Sequence, residues 1–173
     1  MFVLEFVGFE KWVFGRQKKF ICRNTCACEK KVVTLQPEIE RINMTQDEKV
    51  QYWLELADSD YSVAGDLMKT KRWLYVAFMC HQTLEKTLKG YHTKHMPDDP
   101  PYIHNLTRLA EKSGIYELMS EEQRLFLDTM TPMNIEARYP DYKSRIAASL
   151  NEGVCQQIME QTQQLQLWIK SKL

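Results

Sequence analysis

A cluster of prolines and aspartates at residues 97–101 separates two helical patterns, and this arrangement constrains the fold more than any other feature of the chain. Before the cluster, apolar residues recur every three or four positions from about Trp73 to Lys94, which predicts an amphipathic helix. Proline lacks the amide donor and restrains the residue before it, so the helix cannot continue through the cluster. A short helix is predicted from about His104 to Ser113, and Gly114 suits the left-handed position after its end.

The same spacing predicts further helices on both sides of this segment. One begins after Thr45, where Thr45 and Glu48 form a capping box, and it ends in the basic run 69–72. Another begins at Ser120 and meets a kink or stop at Pro132. The last is predicted as one helix from about Tyr142 to Lys170. Since no period-two strand pattern follows Met44, the chain is predicted to be all-α, an antiparallel up-and-down four-helix bundle with a short additional helix.

The first 43 residues differ in composition from the rest of the chain. They are rich in aromatic and apolar residues, and Glu5, Glu10 and Lys11 interrupt them well short of the roughly 18 apolar residues that a membrane span needs. We therefore predict two parts, a poorly ordered N-terminal extension at 1–43 and a helical domain at 44–173. Because the capping box follows Met44 directly, we expect translation to start there and residues 1–43 to come from an over-extended reading frame.

Charge gives the chain no general attraction to nucleic acid or membrane. Its 173 residues contain 23 basic and 23 acidic side chains. Residues 1–43 hold eight basic and five acidic side chains, so 15 and 18 remain in the predicted domain, which is mildly acidic. Phosphate neutralisation supplies most sequence-independent affinity for nucleic acid, so we predict no DNA binding and no membrane binding, and any RNA binding must be local.

The cysteines favour a reducing compartment over a metal site. Cys22, Cys26 and Cys28 crowd into the extension, but it has no histidine and no second cysteine pair to complete a zinc tetrahedron. Cys80 and Cys155 fit small core positions. An odd cysteine count without an export signal predicts a cytoplasmic protein. No motif has the spacing of a metal or cofactor site, so we predict no metal and no cofactor.

Four polar residues of the second predicted helix share one side of it, namely Gln82, Glu85, Lys86 and Lys89. Glu85 and Lys89 have the favourable i, i+4 orientation for an ion pair. One interpretation is a solvated face with a weak ion pair, because exposed pairs are common and contribute little. The other makes Lys86 and Lys89 ligands for a phosphate, which requires that they converge with Arg138.

Arg138 lies between a predicted helix end and Pro140, where a broken backbone can aim its guanidinium at a phosphate or carboxylate. Tyr139 and Tyr142 flank it and are suited to stacking on a base or donating a phenolic hydrogen bond. These three residues are predicted to bind a ligand. The alternative is an ion pair that only fixes the loop, with one of three carboxylates: Glu136, Asp141 or Glu85.

The sequence around the histidines indicates structural roles rather than catalysis or metal binding. His104 is either a ligand-site proton donor or a residue that holds the proline loop in place, and the second role is favoured because no nucleophile or second base is near in sequence. His81, His92 and His95 are dispersed along one helix. His92 and His95 have a spacing that suits a metal but lack a carboxylate ligand.

Taken together, these residues resemble the HEPN domain family, which comprises small all-α proteins found beside nucleotidyltransferases and, in other branches, acting as ribonucleases. The resemblance covers about residues 44–173. The matching positions are Trp53, Ala57, Asp60, Gln82, Glu85, Lys86, Lys89, His104, Leu106, Leu109, Arg138, Tyr139 and Pro140.

Ribonucleases of that family carry a histidine a few residues after the arginine, and the pair supports metal-independent RNA cleavage across a dimer interface. At the corresponding positions this chain has Lys143, Ser144 and Arg145. An arginine alone stabilises developing charge but cannot transfer the proton. The Arg-Tyr-Pro form instead resembles the branch associated with minimal nucleotidyltransferases, in which the bundle binds nucleotide or substrate and a separate chain performs catalysis.

The resemblance therefore implies a non-catalytic binding protein that forms homodimers and pairs with a nucleotidyltransferase subunit in a module of toxin–antitoxin type. Its ligand would be a nucleotide or RNA. Two alternatives stay open, a metal-independent ribonuclease toxin and a structural protein-interaction bundle. Growth arrest on expression would favour the ribonuclease, while an Arg138→Ala change that alters only stability would favour the bundle.

Overall fold

The computed structural model describes residues 44–135 and 140–173, and in that part of the chain all regular structure is helical. The all-α prediction is confirmed, whereas the finer up-and-down four-helix topology stays a prediction. A 3₁₀ turn covers Tyr116–Leu118. The α-helices are α1 (Gln46–Lys69), α2 (Trp73–His95), α3 (Leu106–Lys112), α4 (Glu121–Met130), α5 (Pro132–Ile135), α6 (Pro140–Ser149) and α7 (Glu152–Lys170).

Helix α2 lies at the centre of the fold and packs against α1, α7, α3 and α5. Its core side chains have no exposed surface, and they are Val76, Ala77, Cys80, Leu84 and Leu88. Gly90 lies close to α1, because a Cβ atom there would be 3.4 Å from side-chain atoms of Leu54 and Trp53. The helix is therefore enclosed along most of its length, including faces that carry polar residues.

Helix boundaries follow the local signals in the sequence at most places. The capping boxes of Thr45 with Glu48 and of Ser120 with Gln123 are both present. Gly114, which follows the C-cap residue Ser113 of α3, has a φ of +74°, as predicted for the left-handed position at this helix end. α4 ends at Met130 and α5 begins at Pro132, so the predicted interruption at this proline is confirmed.

Two predicted boundaries are wrong. The short helix begins at Leu106 rather than His104, because the Asn105 side chain accepts a hydrogen bond from the Arg108 amide at 2.8 Å and caps the helix there. His104 therefore belongs to the loop. The predicted single helix from Tyr142 to Lys170 is two helices, α6 and α7, separated at Leu150 and Asn151.

Asn151 explains the break between α6 and α7. Its backbone is extended, with φ of −142° and ψ of 180°, and its side chain accepts a hydrogen bond from the Val154 amide at 3.1 Å. Asparagine is a preferred N-cap because its side chain replaces a missing intrahelical acceptor. Leu150, beside it, is buried in the core.

The remaining fold-level expectations have mixed outcomes. Cys80 and Cys155 are buried free thiols, as predicted, and burial raises the pKa of Cys80 to about 12. No helix in the described part of the chain has the length and apolar character to cross a membrane. The predictions for residues 1–43, including Cys22, Cys26, Cys28 and the start at Met44, lie outside the described residues.

We expect Asn151→Ala to lower the free energy of unfolding by about 1 kcal/mol, because α7 loses its N-cap acceptor. Urea unfolding followed by far-ultraviolet circular dichroism measures the change. Asn151→Asp keeps an acceptor at the same place and serves as the control, which should stay close to the unsubstituted protein. Equal losses in both variants would contradict the capping role.

Candidate functional site

A set of polar side chains gathers on one side of α2, and we call it the α2 polar cluster. Its members come from α1, from α2, from the loop before α3 and from α5, so the fold assembles it from separate parts of the sequence. The cluster consists of Asp60, His81, Gln82, Glu85, Lys86, Lys89, His104 and Asn134.

Glu85 is the central member of the cluster and is only 4% exposed. Lys89 donates a hydrogen bond from Nζ to Glu85 Oε1 at 2.7 Å, and His104 Nδ1 lies 3.0 Å from Oε2 and 3.2 Å from Oε1. Burial raises the pKa of Glu85, but the hydrogen bonds from Lys89 and His104 outweigh burial and leave the pKa lowered. The carboxylate is therefore ionised at neutral pH, buried and paired on both oxygens.

Glu85 fixes the tautomer of His104. An ionised carboxylate only accepts hydrogen bonds, so Nδ1 of His104 carries the proton and donates it. The side chain is 52% exposed, and Nε2 has no hydrogen-bond partner in the part of the chain that the structure describes. The exposed imidazole is thus hydrogen-bonded to a buried carboxylate. This arrangement fixes the ring and leaves Nε2 available for proton transfer.

His81 holds the same loop through its backbone. Its Nε2 donates a hydrogen bond to the carbonyl oxygen of His104 at 3.0 Å, which leaves Nδ1 unprotonated in the neutral ring. Nδ1 lies 3.9 Å from Glu85 Oε2 and has no hydrogen-bond partner among the residues that the structure describes. Burial lowers the pKa of His81 to about 4, against a smaller opposing effect of Glu85. His81 is therefore a neutral structural residue at pH 7.

The two lysines that were predicted to bind phosphate are each held by a carboxylate. Lys86 pairs with Asp60 of α1, and both side chains are partly buried, at 21% and 15% exposure. Lys89 pairs with Glu85 and also lies 5.3 Å from the centre of the Trp53 ring, a cation–π contact. A phosphate at either ammonium group would therefore share it with a carboxylate or displace that carboxylate.

Gln82 and Asn134 form the remaining contact of the cluster. Gln82 Nε2 donates to Asn134 Oδ1 at 3.3 Å. Asn134 is 1% exposed, and its Nδ2 has no hydrogen-bond partner in the described ranges 44–135 and 140–173. This contact ties α5 to α2 only a few residues before Arg138.

The predicted site residues thus fall into two groups. Gln82, Glu85, Lys86, Lys89 and His104 are brought together on α2 as described above. The others are not placed: Arg138 and Tyr139 lie outside the described residues, and Tyr142 lies in α6 but its side chain is not described. Convergence of Arg138 with the lysines, and ligand binding by any of these residues, stay predictions.

The solvated-face interpretation of this helix side is wrong for Glu85 and Lys89, which are both buried. The sequence interpretation also missed the second base beside His104, because Glu85 lies 19 positions earlier in the chain. His81 and Asn134 were not among the site residues at all. The one usable signal was the placement of His81, four residues before Glu85 on the same side of a helix.

His92 and His95 lie apart from the cluster and have different partners. His95 is exposed, and its Nε2 donates to the Lys172 carbonyl oxygen at 3.0 Å. His92 is buried, with Nε2 3.5 Å from Asp98 Oδ1 in the proline loop. Among residues 44–135 and 140–173 there is no group of three or more side chains suited to holding a metal ion.

Comparison with known proteins gives a family and a fold. A family model described as HEPN domain matches residues 50–172. The crystal structure of TT1696 from Thermus thermophilus is similar, with a TM-score of 0.63 and 18% sequence identity over 72% of this chain and 98% of that chain. At this identity the likeness concerns the fold alone. No curated protein matches the chain.

We expect Glu85→Leu to lower the free energy of unfolding by about 3–5 kcal/mol, because it leaves the buried Lys89 ammonium unpaired. The double variant Glu85→Leu/Lys89→Met should recover most of that loss. Asp66→Ala removes the exposed pair with Lys69 and should cost less than about 1 kcal/mol. Denaturant unfolding measures all three variants, and a Glu85→Leu loss as small as that of Asp66→Ala would contradict the burial argument.

The lowered pKa of His81 predicts a loss of stability in mild acid. The unfolded chain takes up a proton near pH 6.5, whereas the folded chain resists until about pH 4, so stability falls as pH decreases through this window. Between pH 7 and pH 5 this histidine should account for about 2 kcal/mol. His81→Gln keeps a donor for the His104 carbonyl and should show a smaller decrease, measured by urea unfolding at both pH values. His95→Gln is the control and should retain the decrease.

Proposed function

Since the chain belongs to the HEPN domain family, we propose that it is a non-catalytic nucleotide- or substrate-binding protein that works with a minimal nucleotidyltransferase. In this proposal the ligand's phosphate lies on the α2 polar cluster. The separate subunit performs the chemistry, and the bundle forms a homodimer within a module of toxin–antitoxin type.

One observation carries the proposal, the pair of lysines on one side of α2, of which Lys86 is partly buried and Lys89 is buried. Lys86 and Lys89 are 21% and 10% exposed, so a phosphate bound to them would lie in surroundings where charges are screened less than in bulk water. Asp60 and Glu85 hold the two ammonium groups in position before a ligand arrives. Prior ordering of long side chains lowers the entropic cost of binding.

The formal charges of the α2 polar cluster sum to zero, so the binding of a phosphate there requires a further cation. Lys86 and Lys89 are balanced by Asp60 and Glu85, so the described cluster is neutral when His104 is neutral. We propose that Arg138 supplies the missing charge. It follows Asn134, which contacts α2, by only four positions, and an extended chain of that length spans at most about 14 Å. An arginine fork also binds phosphate through two hydrogen bonds.

The proposed partner is supported by the sequence around that arginine. Arg138, Tyr139 and Pro140 give the form associated with minimal nucleotidyltransferases, and Lys143, Ser144 and Arg145 stand where the ribonucleases have their histidine. A binding protein without its own proton-transfer residue at that place would depend on a second chain for catalysis. Co-purification of the tagged protein with a nucleotidyltransferase encoded beside it tests this part separately.

Calorimetric titration of ATP, GTP, CTP and UTP tests the binding proposal. We expect saturable binding of at least one nucleotide, and a loss of about tenfold or more in affinity for Lys86→Ala, because a charge-assisted hydrogen bond to phosphate is removed. Arg138→Ala should reduce binding at least as much. Lys69→Ala removes an exposed lysine that pairs only with Asp66 among the described residues and should leave the affinity unchanged.

Circular dichroism before each titration confirms that the variants are folded. Absence of binding for all four nucleotides in the unsubstituted protein would contradict the proposal for the isolated chain. Binding that is equally weakened by Lys69→Ala would indicate general electrostatic attraction and would contradict a site on α2.

A further inference from the structure

His104 has features that phosphate binding by Lys86, Lys89 and Arg138 does not use. Its Nδ1–H is donated to the Glu85 carboxylate at 3.0 Å, which directs the lone pair of the neutral ring to Nε2. The side chain is 52% exposed, and Nε2 has no hydrogen-bond partner within residues 44–135 and 140–173. The nitrogen that carries the lone pair is therefore the one left open to a reagent.

The buried carboxylate makes this nitrogen a better nucleophile than that of an ordinary surface histidine. When Nε2 forms a bond to an electrophile, positive charge develops over the imidazole ring, and the carboxylate hydrogen-bonded to Nδ1–H stabilises that charge. Glu85 is 4% exposed, so its side of this interaction is shielded from water, while the imidazole is half exposed. Lys89, at 2.7 Å from Oε1, helps to keep Glu85 ionised.

The ring is also held in a fixed place. Glu85 binds the side chain, while His81 binds the backbone carbonyl of the same residue at 3.0 Å. Both anchors belong to the central helix α2, so His104 does not move freely although it lies in a loop. A fixed nucleophile with one open nitrogen reduces the entropic cost of reaction with a bound or colliding donor.

The other histidines of the chain do not share this arrangement. His81 and His92 are buried. His95 is exposed, but its Nε2 donates to the Lys172 carbonyl oxygen, and its ring packs against Tyr91 at 4.2 Å between centroids. It has no carboxylate behind it among the described residues, which makes it an internal control for the reactivity of an exposed imidazole in the same molecule.

We propose that His104 is a phosphoryl-acceptor site, modified at Nε2 by a small donor of the phosphoramidate or acyl phosphate class. In the step, the Nε2 lone pair attacks phosphorus, the N–P bond forms, and the bond from phosphorus to the leaving group breaks. The leaving group departs with that electron pair, either as ammonia that has taken its proton from solvent, from phosphoramidate, or as a carboxylate that needs no proton, from an acyl phosphate. No oxidant, metal or second protein is needed. The Nδ1 proton stays on the ring against Glu85.

This proposal does not depend on nucleotide binding. The donor reacts directly with the open nitrogen, so a protein that fails to bind any nucleotide is still expected to be modified. The negative charge brought by the phosphoryl group would lie on the exposed side of the loop between the proline cluster and α3. The modification would therefore change the charge of the α2 polar cluster.

The test is incubation of the full-length chain with phosphoramidate, followed by intact-mass analysis and peptide mapping under alkaline conditions that preserve phosphohistidine. We expect His104 to be labelled about tenfold or more faster than His95 in the same molecules, since each 1.4 kcal/mol of charge stabilisation is about a factor of ten in rate. The label should be lost on mild acid treatment. This ratio needs no variant and so does not depend on the folding of one.

Two variants test the modified residue and the role of the carboxylate separately. His104→Asn should remove the fast-labelled site, while Glu85→Gln, checked for helix content, should bring the labelling rate of His104 down toward that of His95. Equal labelling of His104 and His95 would overturn the proposal, and so would fast labelling that survives His104→Asn. A folded Glu85→Gln protein labelled at the original rate would overturn the role of the carboxylate.

Discussion

The enclosure of α2 is the constraint on which the rest of the structure depends. Every residue from Thr87 to Thr93 is buried, although several of them are polar. A buried polar group without a partner costs free energy, so these side chains must bond within the fold. The hydroxyls of Thr83, Thr87 and Thr93 each donate to the carbonyl oxygen four residues earlier in the same helix. The charged residues require partners of their own.

Those partners connect the central helix to three other parts of the chain. Asp60 comes from α1, His104 from the loop before α3 and Asn134 from α5. The groups that suit ligand chemistry are therefore the same groups that satisfy buried charge and hold the helices together. A ligand that displaces a carboxylate from Lys86 or Lys89 must compensate for a contact of the folded protein.

Local signals in the sequence were sufficient for most helix boundaries, because caps, prolines and Gly114 act through neighbouring residues. Asn151 was missed since a single polar residue does not interrupt an amphipathic pattern that continues on both sides. The burial of Glu85 and Lys89 was missed for a different reason. Periodicity distinguishes an apolar side of a helix from a polar one. It does not reveal that neighbouring segments pack against both sides and bury them. The contact of His104 with Glu85 depends on the path of the proline loop, which no local pattern specifies.

The spacing of Glu85 and Lys89 has a consequence for the order of events in folding. Because the two residues are four positions apart in one helix, their ion pair can form as soon as that turn is helical, before α1 or α7 docks. The chain then removes a neutral pair from water rather than two separate charges, which costs less desolvation free energy. The pairs with Asp60 and His104 close loops of many residues and must form later. The internal ion pair of α2 therefore needs no tertiary contact to form, whereas the pairs of this helix with Asp60 and His104 do.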